Sequence, residues 1–307
     1  MAKYNEVDQK KFKEIVDSLY DILSSCILCG HKCKVNRLKG QVGVCNAKKL
    51  KISSYGPHFG EEKPISGING SGTIFFSYCN LHCVFCQNYE ISQLAEGEEI
   101  TEEDLANIML SLQKKHLHNI NFVSPTHFLP QIIKSLYIAS QNGLCIPLVY
   151  NTGGYDNPEV IKMLAGIIDI YMPDMKYSDN FFAQKYSSAK NYWEVNKEVV
   201  KEMYRQVGPL KIKDGIAYEG LLIRHLVLPN NIAGSKKIID FIADELDKDV
   251  YLNIMAQYRP CYRAKFIPEL SRRITYHEYI EVVRYAQFKG LKNLDIQQIN
   301  EFLIIKF

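Results

Sequence analysis

No run of about 18 apolar residues occurs in this chain, so no segment of it reads as a membrane-spanning helix. The first residues, MAKYNEVDQKKF, are polar, so no signal peptide is expected and the reading is a cytoplasmic protein. Neither sign of charge dominates: the formal net charge is +3, too small to argue by itself for a nucleic-acid or membrane partner. Low-complexity tracts are absent, and no internal repeat stands out beyond the strand–helix alternation described below. What remains is ordinary globular composition. The 307 residues are 47% apolar and 23% charged, enough for a sizeable core in one large or two ordinary domains.

Cysteine is the exception. There are nine, and seven of them lie between Cys26 and Cys86. Without a leader, and at such short spacings, they point to metal binding in a reducing compartment rather than to disulfides. The sharpest group is CNLHCVFC, in which Cys79, Cys83 and Cys86 are spaced C-x3-C-x2-C. Iron–sulfur clusters are usually held by four thiolates, so three in one loop leave an iron open to another ligand, as a catalytic zinc keeps an open position. The bland alternative, three buried thiols, seldom clusters in a turn. A second group comprises Cys26-x2-Cys29-Gly30, Cys33 and Cys45. Its CxxCG knuckle favours a closed tetrahedral zinc, with His31 able to replace one thiolate; a second iron–sulfur cluster acting as an electron relay is the alternative. Cys145 reads as a packing residue, and Cys261, in RPCYRAK, lies near the site end of a strand.

Hydrophobic periodicity supplies the frame. Phe12, Ile15, Val16, Leu19, Ile22 and Leu23 recur at helical spacing and predict an N-terminal amphipathic helix ending near Ser25. The cysteine-rich segment follows, and SSYGPHFGEEKPISGINGSG reads as a turn-rich connector. From Thr73 onward six apolar runs read as strands: 73–78, 119–123, 146–150, 167–172, 221–228 and 250–255. Between them lie expected helices at 101–115 (with Thr101 and Asp104 as a capping box), 131–142, 158–165, 191–207 and 235–246, and a helix at 275–287 closes the series. The terminal EFLIIKF is read as an added strand. Alternation of this kind predicts a parallel sheet in a partial (β/α)6 barrel, with sites at the carboxyl ends of the strands. The expected organisation is a front segment, 1–70, carrying the N-terminal helix and the second cysteine group, followed by the α/β barrel, 71–307.

With the three-cysteine loop at the top of the first barrel strand, the chain resembles the radical S-adenosylmethionine (radical SAM) superfamily. CNLHCVFCQN is similar to the activating enzymes of glycyl-radical proteins. The whole chain resembles the branch of proteins like the pyruvate formate-lyase activating enzyme. The resemblance implies a 4Fe–4S cluster on Cys79, Cys83 and Cys86 whose open iron is chelated by S-adenosylmethionine. It also implies reductive cleavage to a 5′-deoxyadenosyl radical that abstracts hydrogen from a protein, peptide or small molecule. Phe85 matches the aromatic near the adenine. Thr126, Asn151, Thr152, Asp174, Lys176, Arg224, Leu226, Met255 and Gln257 match positions around the cofactor, at the ends of the second to sixth strands. A flavodoxin- or ferredoxin-type electron donor is implied as partner. One departure concerns glycyl-radical activation: where the activases carry Gly-Gly-Glu, this chain has Ser124-Pro125-Thr126-His127.

Two other readings stand beside this one. Lys32, Lys34, Arg37, Lys39, Lys48, Lys49 and Lys51 form a basic stretch, read as a solvated face or as a phosphate-contacting surface of an RNA-modifying radical enzyme. No interleaved aromatics support base stacking. The third reading is a non-catalytic iron–sulfur or zinc protein.

Overall fold

The computed structural model describes residues 2–297; EFLIIKF lies outside the described residues. Ten strands form one open sheet: β1 Lys51–His58, β2 Ser71–Phe76, β3 Glu98–Glu99, β4 Ile120–Val123, β5 Leu148–Thr152, β6 Ile170–Pro173, β7 Lys211–Lys213, β8 Ile216–Leu226, β9 Tyr251–Met255 and β10 Asn293–Ile296. The order across it is β10-β9-β8-β6-β5-β4-β2-β1-β3, with β7 paired to β8 outside this path. From β2 to β10 along that path every neighbour is parallel. This is the predicted partial barrel, curved but not closed. All six predicted strands are present, shifted by a few residues.

Four strands escaped the sequence reading: β1, β10 and the very short β3 and β7. The expected connector after Lys51 contains β1, antiparallel to β2. Its Gly56 and Pro57 read as turn residues, yet Pro57 is tolerated because β3 pairs only with Lys51 and Ile52, leaving the rest of β1 as a sheet edge. Short β10 follows Gly290 and adds a seventh parallel strand beside β9. The capping box is present: Thr101 Oγ1 accepts from the Asp104 backbone N–H at 3.1 Å, and the Asp104 carboxylate accepts from the Thr101 N–H at 3.0 Å.

Strand residues alternate between two environments. Leu148 and Tyr150 of β5, Tyr171 of β6, and Leu221 and Ile223 of β8 face the main core beneath the helices. Val149, Ile170, Met172 and Leu222 face the barrel lumen, which Ile65 of the short helix Lys63–Ser66 plugs. The boundary expected near residue 70 is crossed by packing. Helix Gln9–Asp21, capped by Asp8, sets Phe12 against Tyr137 of helix Leu129–Gln141, ring centroids 5.4 Å apart. β1 lies in the barrel sheet. Among the described residues no helix is long and apolar enough to cross a membrane.

Candidate active site at the carboxyl ends of the strands

The cysteine loop leaves β2 through Tyr78, whose φ of 69° turns the chain over the barrel mouth. A tyrosine in the left-handed region is strained, and such strain persists only where its surroundings enforce it. Here the Tyr78 N–H donates to the Ile91 carbonyl at 3.0 Å. The loop is then pinned on its far side, His82 N–H to Ser187 O at 3.1 Å and Val84 N–H to Tyr186 O at 2.8 Å.

Each thiol has its own polar neighbour. Cys79 Sγ accepts from the Leu81 N–H at 3.4 Å, Cys83 Sγ from Ser187 Oγ at 3.0 Å, and Cys86 Sγ lies 3.2 Å from Ser92 Oγ. Burial pushes the Cys79 thiol up to about 12 and the Cys83 thiol up to about 11. Metal binding must therefore expel their protons. Among the described residues no three Cys, His, Asp or Glu side chains converge to hold a single metal ion. A cubane does not require that, because each thiolate binds a different iron. Three thiols on one loop, none shared, with hydrogen-bond donors on the sulfurs, fit a 4Fe–4S cluster.

The three cysteines line one cavity with Ser124, Asn151, Thr152, Gly153, Asp174, Lys176 and Arg224, all at the ends of β4, β5, β6 and β8. Asp174 is the hub. Its Oδ1 accepts from Arg224 Nε at 2.9 Å and its Oδ2 from Lys176 Nζ at 2.5 Å, while Arg224 Nη2 donates to Asn151 Oδ1 at 2.7 Å. Burial alone would raise the Asp174 carboxyl; the charges of Arg224 and Lys176 outweigh it and hold the group below the usual carboxylate range. Burial likewise works against Lys176, and Asp174 more than restores its charge. The result is a fixed set of charges and dipoles beside the three thiols, suited to the charged amino-acid end of S-adenosylmethionine.

Other expected site residues lie elsewhere. Phe85 packs edge-on to Tyr258 at 5.9 Å and against Tyr177 at 6.4 Å, and does not line the cavity. Thr126 is buried beneath it, donating to Asp156 Oδ1 at 2.7 Å. Leu226 and Met255 are register partners on β8 and β9, and Gln257 Nε2 lies 3.4 Å from Met255 Sδ; none of the three lines the cavity. Of the two glycines after Thr152, only Gly153 lines it. A Cβ on Gly154, whose φ is 72°, would stand 2.3 Å from the Asp174 carbonyl, so that glycine serves packing. Cys145, expected to pack, is exposed in the turn before β5.

Sequence reading missed Glu61. Its carboxylate stands 3.7 Å from Arg224 Nη1, and burial raises its pKa while Arg224 draws it down. Its segment read as a connector, so no periodic signal could have placed it. Glu62 accepts from Asn253 Nδ2 at 2.8 Å, and Glu62 Oε2, both side-chain atoms of Asn121 and Asn253 Oδ1 have no partner.

The second cysteine group also comes together. Cys26, Cys29, Cys33 and Cys45 line one small cavity with Leu28, Arg37, Gly43 and His127. Cys26 N–H donates to Val35 O, and Lys34 N–H to Cys26 O, each at 2.9 Å, folding Cys26 back toward Cys33. Gly30 has no room for a side chain, since a Cβ there would meet the Tyr155 ring at 2.4 Å. Arg37, counted above with the basic face, is buried; Lys49 remains on the surface, paired with Glu99 at 3.1 Å.

One buried group gives a pH prediction. His225, behind Asp174, meets Met175 O at 2.7 Å through Nδ1 and Ser235 Oγ at 2.8 Å through Nε2. Burial lowers its pKa from 6.5 to about 4. Below the ordinary value the unfolded chain takes up a proton that the folded chain refuses. Stability is therefore full above that value and is lost as pH falls toward the folded one. Between pH 7 and pH 5.5 the wild type should lose about 1 kcal/mol through this group, read as a lower urea midpoint, and His225→Gln should flatten that slope.

Comparison with known proteins agrees with this geometry. Residues 73–218 match the radical SAM superfamily. The uncharacterized protein MJ0674 of Methanocaldococcus jannaschii is 36% identical over 282 residues, covering 89% of this chain and 77% of that one. A second protein of that organism, the uncharacterized MJ0808, is 24% identical over 302 residues, covering 89% of this chain and 84% of its own. Among solved structures, the fold is similar to Streptococcus suis SuiB bound to its precursor peptide SuiA (TM-score 0.50, 11% identity, 73% of this chain). It is also similar to a radical SAM methyltransferase from Sphaerobacter thermophilus (TM-score 0.51, 12% identity, 73% of this chain). The chain spans 48% of SuiB and 65% of the methyltransferase, and at these identities the likeness is one of fold. Three cysteines on the loop after β2, a cavity at the strand ends and this match together place the chain in the radical SAM superfamily, whose enzymes use a 4Fe–4S cluster and S-adenosylmethionine.

Proposed function

We propose that Cys79, Cys83 and Cys86 hold the cluster, that S-adenosylmethionine lies in the adjoining cavity, and that the enzyme takes a hydrogen atom from a protein, peptide or small molecule. One observation carries this reading: the three thiols and the Asp174–Lys176–Arg224–Asn151 network line the same cavity. When bound, the two groups supply one-electron cleavage of the sulfonium to methionine and an adenosyl radical. The chain supplies position. Asn151, Asp174 and Arg224 hold one another at fixed distances and present oriented charge, and Lys176 sets a cation beside Cys83.

Activation of a glycyl-radical protein is one form of this chemistry, and the Ser124–His127 stretch weighs against it. Thr126 and His127 turn inward, and the stretch itself carries no carboxylate where the activases have their glutamate. A flavodoxin- or ferredoxin-type protein is the proposed electron source. Anaerobically reconstituted protein given dithionite and S-adenosylmethionine should release 5′-deoxyadenosine and methionine in equal amounts. Absence of both would return the chain to the non-catalytic reading.

A further inference from the structure

The second cysteine cavity contains a charge that the folded chain leaves unbalanced. Arg37 is buried at 8% exposure, and its one hydrogen bond runs from Nη1 to the His127 carbonyl at 2.6 Å. Its Nε and Nη2 have no partner, and among the described residues it makes no ion pair. A buried guanidinium with two idle nitrogens is costly unless an anion meets it. Its cavity companions are the thiols of Cys26, Cys29, Cys33 and Cys45, together with the buried His127, whose Nδ1 is also unpartnered. Four thiolates around metal make such an anion. All four line one small cavity.

Two hydrogen bonds tie this cavity to the loop of Cys79, Cys83 and Cys86. His31, between Cys29 and Cys33, meets the Asn80 carbonyl at 2.8 Å, and His82, between Cys79 and Cys83, meets the Val44 carbonyl at 2.8 Å. Each cysteine segment thus lends a histidine to the backbone of the other.

We infer that Cys26, Cys29, Cys33 and Cys45 hold a second iron–sulfur cluster, with Arg37 as its buried counter-cation, in contact with the loop that carries the first. The inference concerns metal content and potential, so it stands or falls separately from the radical reaction.

The test uses the full chain carrying Cys79→Ala, Cys83→Ala and Cys86→Ala, loaded anaerobically with iron and sulfide. It should retain iron with an equal amount of acid-labile sulfide, and give a cluster signal on reduction by electron paramagnetic resonance. Zinc at one per chain without sulfide would overturn the inference. Should that variant fail to fold, the complementary chain with Cys26, Cys29, Cys33 and Cys45 replaced by Ala decides the matter: it should hold about half the iron of wild type. Equal iron in the two would refute a second cluster. Adding Arg37→Leu to the triple variant removes a positive charge and N–H donors from beside the cluster, so its reduction potential should move negative, with Arg37→Lys intermediate. An unmoved potential would show that Arg37 is not its counter-charge.

Discussion

Cys83→Ala should abolish reductive cleavage of S-adenosylmethionine, lowering 5′-deoxyadenosine release by more than a thousandfold, to background. Cys83 is the central thiol of the loop and is buried, with Ser187 Oγ at 3.0 Å, itself 2.8 Å from the Tyr177 hydroxyl. No other cysteine lines the cavity beyond Cys79 and Cys86, so no thiol is at hand to replace it. With two thiolates left the cluster should be lost or degraded, which visible absorbance and iron content would report before any turnover is measured. Stability should change little by comparison, because alanine removes one small buried sulfur and leaves only the Ser187 hydroxyl without its acceptor. Retained cleavage in Cys83→Ala would remove the basis for assigning the cluster to this loop.

The second large effect is expected at Asp174. Asp174→Asn keeps the side-chain shape and removes the charge that balances Arg224 and Lys176. The three side chains are 11%, 17% and 18% exposed, so the surviving cations stand largely desolvated. Breaking a buried ion network by removing one partner costs roughly 3–5 kcal/mol. A lower urea midpoint should therefore accompany weaker binding of S-adenosylmethionine. The two consequences can be separated. Replacing Asp174, Arg224 and Lys176 together by Leu, Met and Met removes every charge at once, which is often close to neutral for stability. That triple variant should recover most of the midpoint and still fail to bind S-adenosylmethionine. Recovery of binding as well would show that the network serves only to hold the strands.

Much of this was legible in order of sequence locality. Cys79, Cys83 and Cys86 occupy one loop, so their spacing alone restricts what they can ligate. The six central strands were legible because parallel strands covered on both faces read as continuous apolar runs. β1 was not, because a strand with a free edge tolerates the Gly56 and Pro57 that elsewhere mark a turn. Phe85, Leu226, Met255 and Gln257 were expected around the cofactor by resemblance; position along a strand end does not by itself say whether a side chain reaches the cavity.

The sequence by itself determined the three-thiol loop, the alternation of the central strands and helices, and the end of the barrel at which that loop sits. Each follows from local pattern: thiol spacing, hydrophobic period and chain direction. Only the tertiary structure decided that Asp174 is shared by Arg224 and Lys176, that Glu61 approaches the same guanidinium, and that Arg37 leaves the basic surface to face four thiols. The Arg224 contacts with Asp174 and Glu61 join segments far apart in the chain, and burial turns an ordinary surface charge such as that of Arg37 into one that must find an opposite.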